Sequence, residues 1–165
     1  MSCSITLTGI TRDCKGMGGV KRVWLADRTV YLPDVTIIND EVSAISLGDY
    51  FEFQFRKQVA SMETTINSDD VAGTLFYETR VTMAFAAMTA AKRLEIKNLM
   101  NAELLAIVED NNGEYWLLGF DNPCTLVEAG AQTGTTYADA NQFNVVLSDS
   151  SQNMPYYIAE EVLYP

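Results

Sequence analysis

Residues Gly73–Phe120 decide the fold: GTLFYETRVTMAF (73–85), AAMTAAKRLEIKNLMNA (86–102) and ELLAIVEDNNGEYWLLGF (103–120). They read as strand, helix, strand, tight turn, strand. Asn112-Gly113 lies between the apolar runs Leu104–Val108 and Tyr115–Phe120. Asn-Gly tolerates positive φ at both central positions, so the spacing predicts a two-residue type I′ hairpin. The register that follows sets Glu109 against Trp116, Val108 against Leu117 and Ile107 against Leu118. One face then carries Leu105, Ile107, Trp116, Leu118 and Phe120, and the other Ala106, Val108, Tyr115 and Leu117. A sheet with one wet face alternates apolar and polar residues. This hairpin does not, so the core is expected on one face and a helix or a neighbouring subunit on the other.

Upstream, Leu75, Tyr77, Thr79, Val81, Met83 and Phe85 alternate over about 12 residues, long for a globular domain. Such a strand is expected to project beyond its sheet or to pair with a neighbour. Thr89 is the expected N-cap of a helix over Ala90–Asn101. Ile96, Leu99 and Met100 form one stripe of that helix, with Leu94 nearly opposite beside Ala90 and Ala91. Apolar residues on two sides predict two packing partners.

The rest of the chain is read outward from this stretch. VKRVWLAD (20–27) reads as a strand entered from the Gly16–Gly19 turn. That glycine cluster lacks the Gly-Lys-Ser/Thr ending and the following helix of a phosphate loop. TVYLP (29–33) reads as a short edge strand stopped by Pro33. VTIIND and EVSAISL, separated at Asn39-Asp40, suit a second hairpin. Tyr50–Val59 alternates Phe51, Phe53 and Phe55 with polar residues, which predicts a half-buried strand with its phenyl face in the core. VASMETTINSDDVAG (59–73) reads as a strand end and a long loop. Cys124–Glu128 and Gln142–Leu147 are strand candidates around a Gly/Thr-rich loop. The apolar MPYYIAEEVLYP segment is expected to dock on its own domain or on a neighbour.

With 165 residues, one domain with a sizeable core is expected. No run reaches the roughly 18 apolar residues of a membrane helix, so no membrane is expected. No signal-peptide pattern is seen at the N-terminus. Cys3, Cys14 and Cys124 are widely spaced and the chain has no His. Reduced thiols and a cytoplasmic site of synthesis are expected, without a zinc site or a disulfide framework. The net charge of −11 disfavours a DNA groove reader. It suits either simple solubility or a surface past which a polyanion must slide. Lacking His, the chain holds no Ser-His-Asp or Cys-His pair, and no particular pair of acids stands out for hydrolysis. No enzyme and no cofactor are expected. Glu109–Gly113 fails as a calcium loop, because Val108 and Gly119 stand where the acids belong.

The central stretch, with CKGMGGVKRVWLAD (14–27), VASMETTINSDDVAG (59–73) and GAQTGTTYADANQFNVVLSDS (130–150), resembles structural proteins of tailed bacteriophages that infect Bacteroidetes, of the tail-tube-like or neck and ring kind. The resemblance covers most of the chain and stops after Asn153. It implies a mainly β fold, a sandwich or rolled sheet with one flanking helix, as a single domain over 1–165 with 1–19 and 153–165 as terminal arms. It further implies a virion subunit, in the phage tail or neck, that joins others in a six- or twelve-fold ring. Other tail or neck proteins would be its partners, and DNA would pass non-specifically through the lumen. On this reading Thr74, Phe76, Glu78, Arg80, Leu94, Tyr115 and Leu117 are candidate subunit contacts. Asp69, Asp70, Glu109 and Asp110 are candidate lumen or rim charges. The alternative from another class is a monomeric β-sandwich binding module for a glycan or protein ligand.

Overall fold

The computed structural model describes residues 8–12 and 15–164. Cys3 and Cys14 lie outside the described residues, and Cys124 is a buried free thiol. Among the described residues, eleven strands form two sheets. Sheet A holds seven strands. In spatial order they are β2 (Thr36–Ile38), β3 (Glu41–Ala44), β11 (Tyr156–Ile158), β8 (Tyr115–Leu118), β7 (Leu104–Asp110), β1 (Val20–Asp27) and β4 (Phe51–Phe53). Sheet B holds β5 (Ser61–Asp69), β6 (Thr74–Ala86), β10 (Gln142–Ser151) and β9 (Thr125–Gln132) in that order.

Alternation along β6 and β10 turns Val81, Met83, Phe85, Val145 and Leu147 toward sheet A. There they meet Val23, Leu25, Ala106, Val108 and Leu118. Helix α2 (Ala90–Leu99) carries the chain from β6 to β7 and adds Ile96 and Leu99 to the same core. Thr89 caps it as expected, its hydroxyl accepting from Lys92 N–H. Leu94 and Met100 remain exposed.

The other face of sheet A is buried too. Trp24, Leu105, Ile107, Tyr115, Leu117 and Ile158 pack beneath Val35, Tyr50 and Leu163. Those three come from the segments beyond α1 (Arg28–Tyr31) and from α3 (Glu160–Leu163). The chain therefore covers both faces of its own central hairpin, and no neighbour is needed for that purpose.

The hairpin register is one residue away from the expected one. Glu109 pairs with Tyr115, Val108 with Trp116 and Ile107 with Leu117. Asp110 N–H donates to Glu114 C=O and Gly113 N–H to Asp110 C=O, which leaves a three-residue loop. Gly113 alone of the three has positive φ, at 86°, as in a type I turn with a glycine bulge. The Asp110 carboxylate closes it by accepting from Asn112 and Glu114 N–H. Because side chains alternate, this slip exchanges the faces of the second strand. Trp116 and Leu118 turn toward sheet B, while Tyr115 and Leu117 join Leu105 and Ile107.

Other expectations are corrected. Residues 28–34 form helical turns, since the Asp27 carboxylate caps Thr29 N–H and Pro33 opens a 3-10 turn where it lacks no needed donor. The expected strand over Tyr50–Val59 is paired only at Phe51–Phe53, and Phe51 is 73% exposed. Phe53 and Phe55 do reach the core, edge-on to Phe85 at 6.1 and 6.3 Å. The polar 59–73 segment is strand β5, paired with β6 from Ser61 to Asp69. The segment after Asn153 is no arm. β11 lies inside sheet A, parallel to β3 and antiparallel to β8. The Asn39-Asp40 hairpin forms as expected, with both residues at positive φ.

Candidate interaction surfaces

Sheet B buries one face, and its outer face is open. Thr74, Phe76, Glu78 and Arg80 share that outer face because they are two apart on β6. Glu63 lies opposite Arg80 on β5, and Glu128 reaches it from β9. Arg80 bonds Glu78 at 2.9 Å and Glu128 at 3.4 Å. Its guanidinium is held above its ordinary pKa by the hydrogen bond and charge of Glu78 first, then by Glu128. These exposed pairs add little stability. They leave a face on which carboxylates outnumber the single Arg80.

Both edges of sheet B are long and open. Among the described residues, β5 pairs only with β6, and β9 only with β10 along the sheet. Neither contains Lys, Arg or Pro, the residues that commonly guard a free edge. All neighbours in the sheet are antiparallel, so β5 and β9 run in opposite directions. At the β5–β6 tip, Ile66, Val71 and Leu75 are exposed, and Phe76 is exposed on the outer face.

The sequence-selected residues divide sharply. Thr74, Phe76 and Arg80 are exposed and Glu78 is half-buried. Leu94 is exposed on α2, away from that group. Tyr115 and Leu117 are 4% and 1% exposed. They are core residues and offer nothing to a neighbour. Among the candidate charges, Asp69 is engaged in its own turn, accepting from Val71 and Ala72 N–H. Asp110 closes the hairpin loop, as above. Glu109 is buried and pairs with Lys21 at 2.5 Å and Arg22 at 2.9 Å. A β-bulge between Val20 and Arg22 brings both cations to the one carboxylate. Asp70 is exposed and takes no part in these turns.

Sequence reasoning missed a cleft at the end of the sandwich opposite α2. Met62 from β5, Trp116 from β8, and Pro155 and Tyr157 around β11 form its apolar lining, with Asp40 and Glu41 at its rim. Its volume is about 590 Å³. Trp116 and Tyr157 meet edge-on at 5.7 Å. The Tyr157 phenol is raised above its ordinary pKa by its hydrogen bond to Glu114, then by burial, then by the charges of Glu114 and Glu41. The register slip that turned Trp116 toward sheet B is what places it here. No sequence signal announced the cleft, since its walls come from four separated strands and loops.

A second polar cluster ties the sheets together. Gly119 N–H donates to the Asp149 carboxylate at 2.9 Å, from sheet A's exit to sheet B. Arg28 donates to the Gly119 and Phe120 carbonyls at 2.7 and 2.9 Å. Gly119 has φ of 88°, and a Cβ there would fall 2.2 Å from the Leu104 carbonyl oxygen. Only glycine fits. Burial raises the Asp149 pKa, against the Gly119 hydrogen bond. Among the described residues, no group of three or more acids or cysteines is placed to hold a metal ion, and no helix is long and apolar enough to cross a membrane.

Comparison with protein-family models, curated proteins and solved structures found no match to this chain.

Proposed function

We propose that the chain is a structural subunit of a tailed-phage virion that assembles into a ring, as tail tube or neck ring, around the path of the genome. The supporting observation is sheet B: four antiparallel strands with two edges free of Lys, Arg and Pro that run in opposite directions. A neighbour related by rotation can set its β9 beside β5 and continue the antiparallel alternation without a break. Such a head-to-tail contact closes into a ring when the rotation divides a full turn. The outer face carrying Glu63, Glu78 and Glu128 then lines the lumen, where net negative charge keeps DNA from adhering. The resemblance of the sequence to tail-tube-like and ring proteins points the same way. The second apolar face of the central hairpin gives no support, because the chain buries that face itself.

The test is negative-stain microscopy and light scattering of the purified protein over a concentration series, alone and with particles lacking this subunit. Closed rings or incorporation into the particle are expected. A monomer at every concentration that never enters particles overturns the reading. A monomeric binding module is favoured by one observation, the Trp116–Tyr157 cleft, and would show saturable binding of a soluble ligand there without any assembly.

A further inference from the structure

The described part of the arm before β1 is exposed throughout, and Ile10 is wholly so. Its root is fixed. Met17 N–H donates to the Asn112 side chain, Asn112 Nδ2 donates back to the Met17 carbonyl, and Asn111 Nδ2 donates to the Gly18 carbonyl. These bonds hold the root against the hairpin loop, in a hollow that shares Met62 and Trp116 with the apolar cleft. The cleft therefore opens beside the point where the arm leaves the body, yet the chain's own Ile10 stays in solvent.

Arm and cleft are complementary in kind. The cleft is apolar inside and acidic at its rim, with no Lys or Arg among its lining residues. The arm carries Ile10 between Gly9 and Thr11, then Arg12 and Lys15 against Asp13 alone. It is net basic on a chain whose net charge is −11. An aliphatic anchor in an aromatic-lined pocket with opposite charges at the rim has the usual form of an interface anchor.

We propose that the cleft receives the arm of a second copy, with Ile10 between Met62 and Trp116 and Arg12 at Asp40 and Glu41. This rests on the reading of the chain as a self-assembling subunit and adds a contact separate from the sheet edges. It makes each copy both donor and acceptor, so that neighbours are strapped as well as edge-paired.

The experiment places a photo-crosslinking phenylalanine analogue at position 10 of the full chain and mixes isotopically heavy and light protein before irradiation. Mass spectrometry should find mixed-isotope crosslinks to Met62, Trp116 or Tyr157. Arg12→Glu should lower their yield about fivefold, the worth of about one kcal/mol of rim ion pairing. Asp40→Lys with Glu41→Lys should restore it. Crosslinks confined to one isotope class, with no mixed pairs, or crosslinks to other surfaces, overturn the proposal. Light scattering on the same samples separates the two ideas: rings without the mixed-isotope crosslink remove the arm contact and leave the ring reading intact. A monomer at every concentration removes both. Circular dichroism confirms that each variant is folded.

Discussion

Glu109 is a carboxylate inside the fold, and its two cations are not equally enclosed. The Lys21 and Arg22 side chains keep about half of their surface in water, at 48% and 40%, against 2% for Glu109. Removing the cations should therefore hurt more than removing the anion. Lys21→Ala with Arg22→Ala leaves a buried charge unpaired and should cost about 3 kcal/mol. Glu109→Gln leaves two cations that can hydrate, and should cost about 1 kcal/mol. Urea denaturation of the three proteins at neutral pH measures the order. Asp149 behaves in the opposite sense. Its folded pKa is raised by burial, so the native state holds the proton more firmly than the unfolded chain. The stabilising contribution is fully present below the unfolded pKa and is lost as pH rises through the folded one. Asp149→Asn keeps an oxygen for Gly119 N–H and carries no charge. It should be more stable than wild type at pH 7, and that advantage should shrink as the pH is lowered toward the carboxylate range. Thermal melts across that interval test the sign. The Asn112-Gly113 pair illustrates what a dipeptide leaves out. The expected type I′ turn gives way to a longer loop because the Asp110 carboxylate collects two backbone N–H groups, and both asparagine amides are spent on the arm root.

At the scale of elements, strands with one fully buried face were legible and strands exposed along most of their length were not. β1, β6, α2 and the Asn39-Asp40 hairpin follow from period and capping. β5 did not, because six of its nine residues are exposed and burial on one side is what writes a period-two signal into a sequence. β9 was foreseen only at its start, where Leu126 still packs on the core. The two least legible strands are thus the two open edges, which supply the candidate assembly surface. This gives a direct test at the edges. Thr65 faces outward on β5, and Gly130 on β9 has open space where a Cβ would sit. Thr65→Lys or Gly130→Lys should change monomer stability by no more than about 0.5 kcal/mol. Either should abolish assembly, since a lysine on a free edge blocks strand addition. Denaturation and light scattering together read both halves of the expectation.

For the whole molecule, charge sets the conditions for association. Copies that each carry −11 repel one another overall, and pairing of Arg12 with the acids of a neighbour's cleft is a local attraction against that field. Added salt screens that repulsion, with a Debye length of about 10 Å at 0.1 M and about 3 Å at 1 M. Assembly should accordingly strengthen from low to moderate ionic strength, as followed by sedimentation. Weakening over that range would show that attractive ion pairs dominate. The two-layer fold was read correctly at this scale, and its second core was not. Packing beneath Trp24, Ile107 and Leu117 comes from short helical turns and from the segment after Asn153, whose periods are too brief to recognise.

β11 sits between β3 and β8, strands separated from it by more than a hundred and by about forty positions in the sequence. During synthesis on the ribosome, everything else in sheet A can be made while this slot is still empty. The sheet is then two pieces, each with a raw inner edge, and neither the Ile158 contact nor the Leu163 lid exists. Only when translation has passed these residues can the halves be joined. A chain cut short before Tyr156 is therefore distinguishable from a finished one by its folding, before any neighbour meets it.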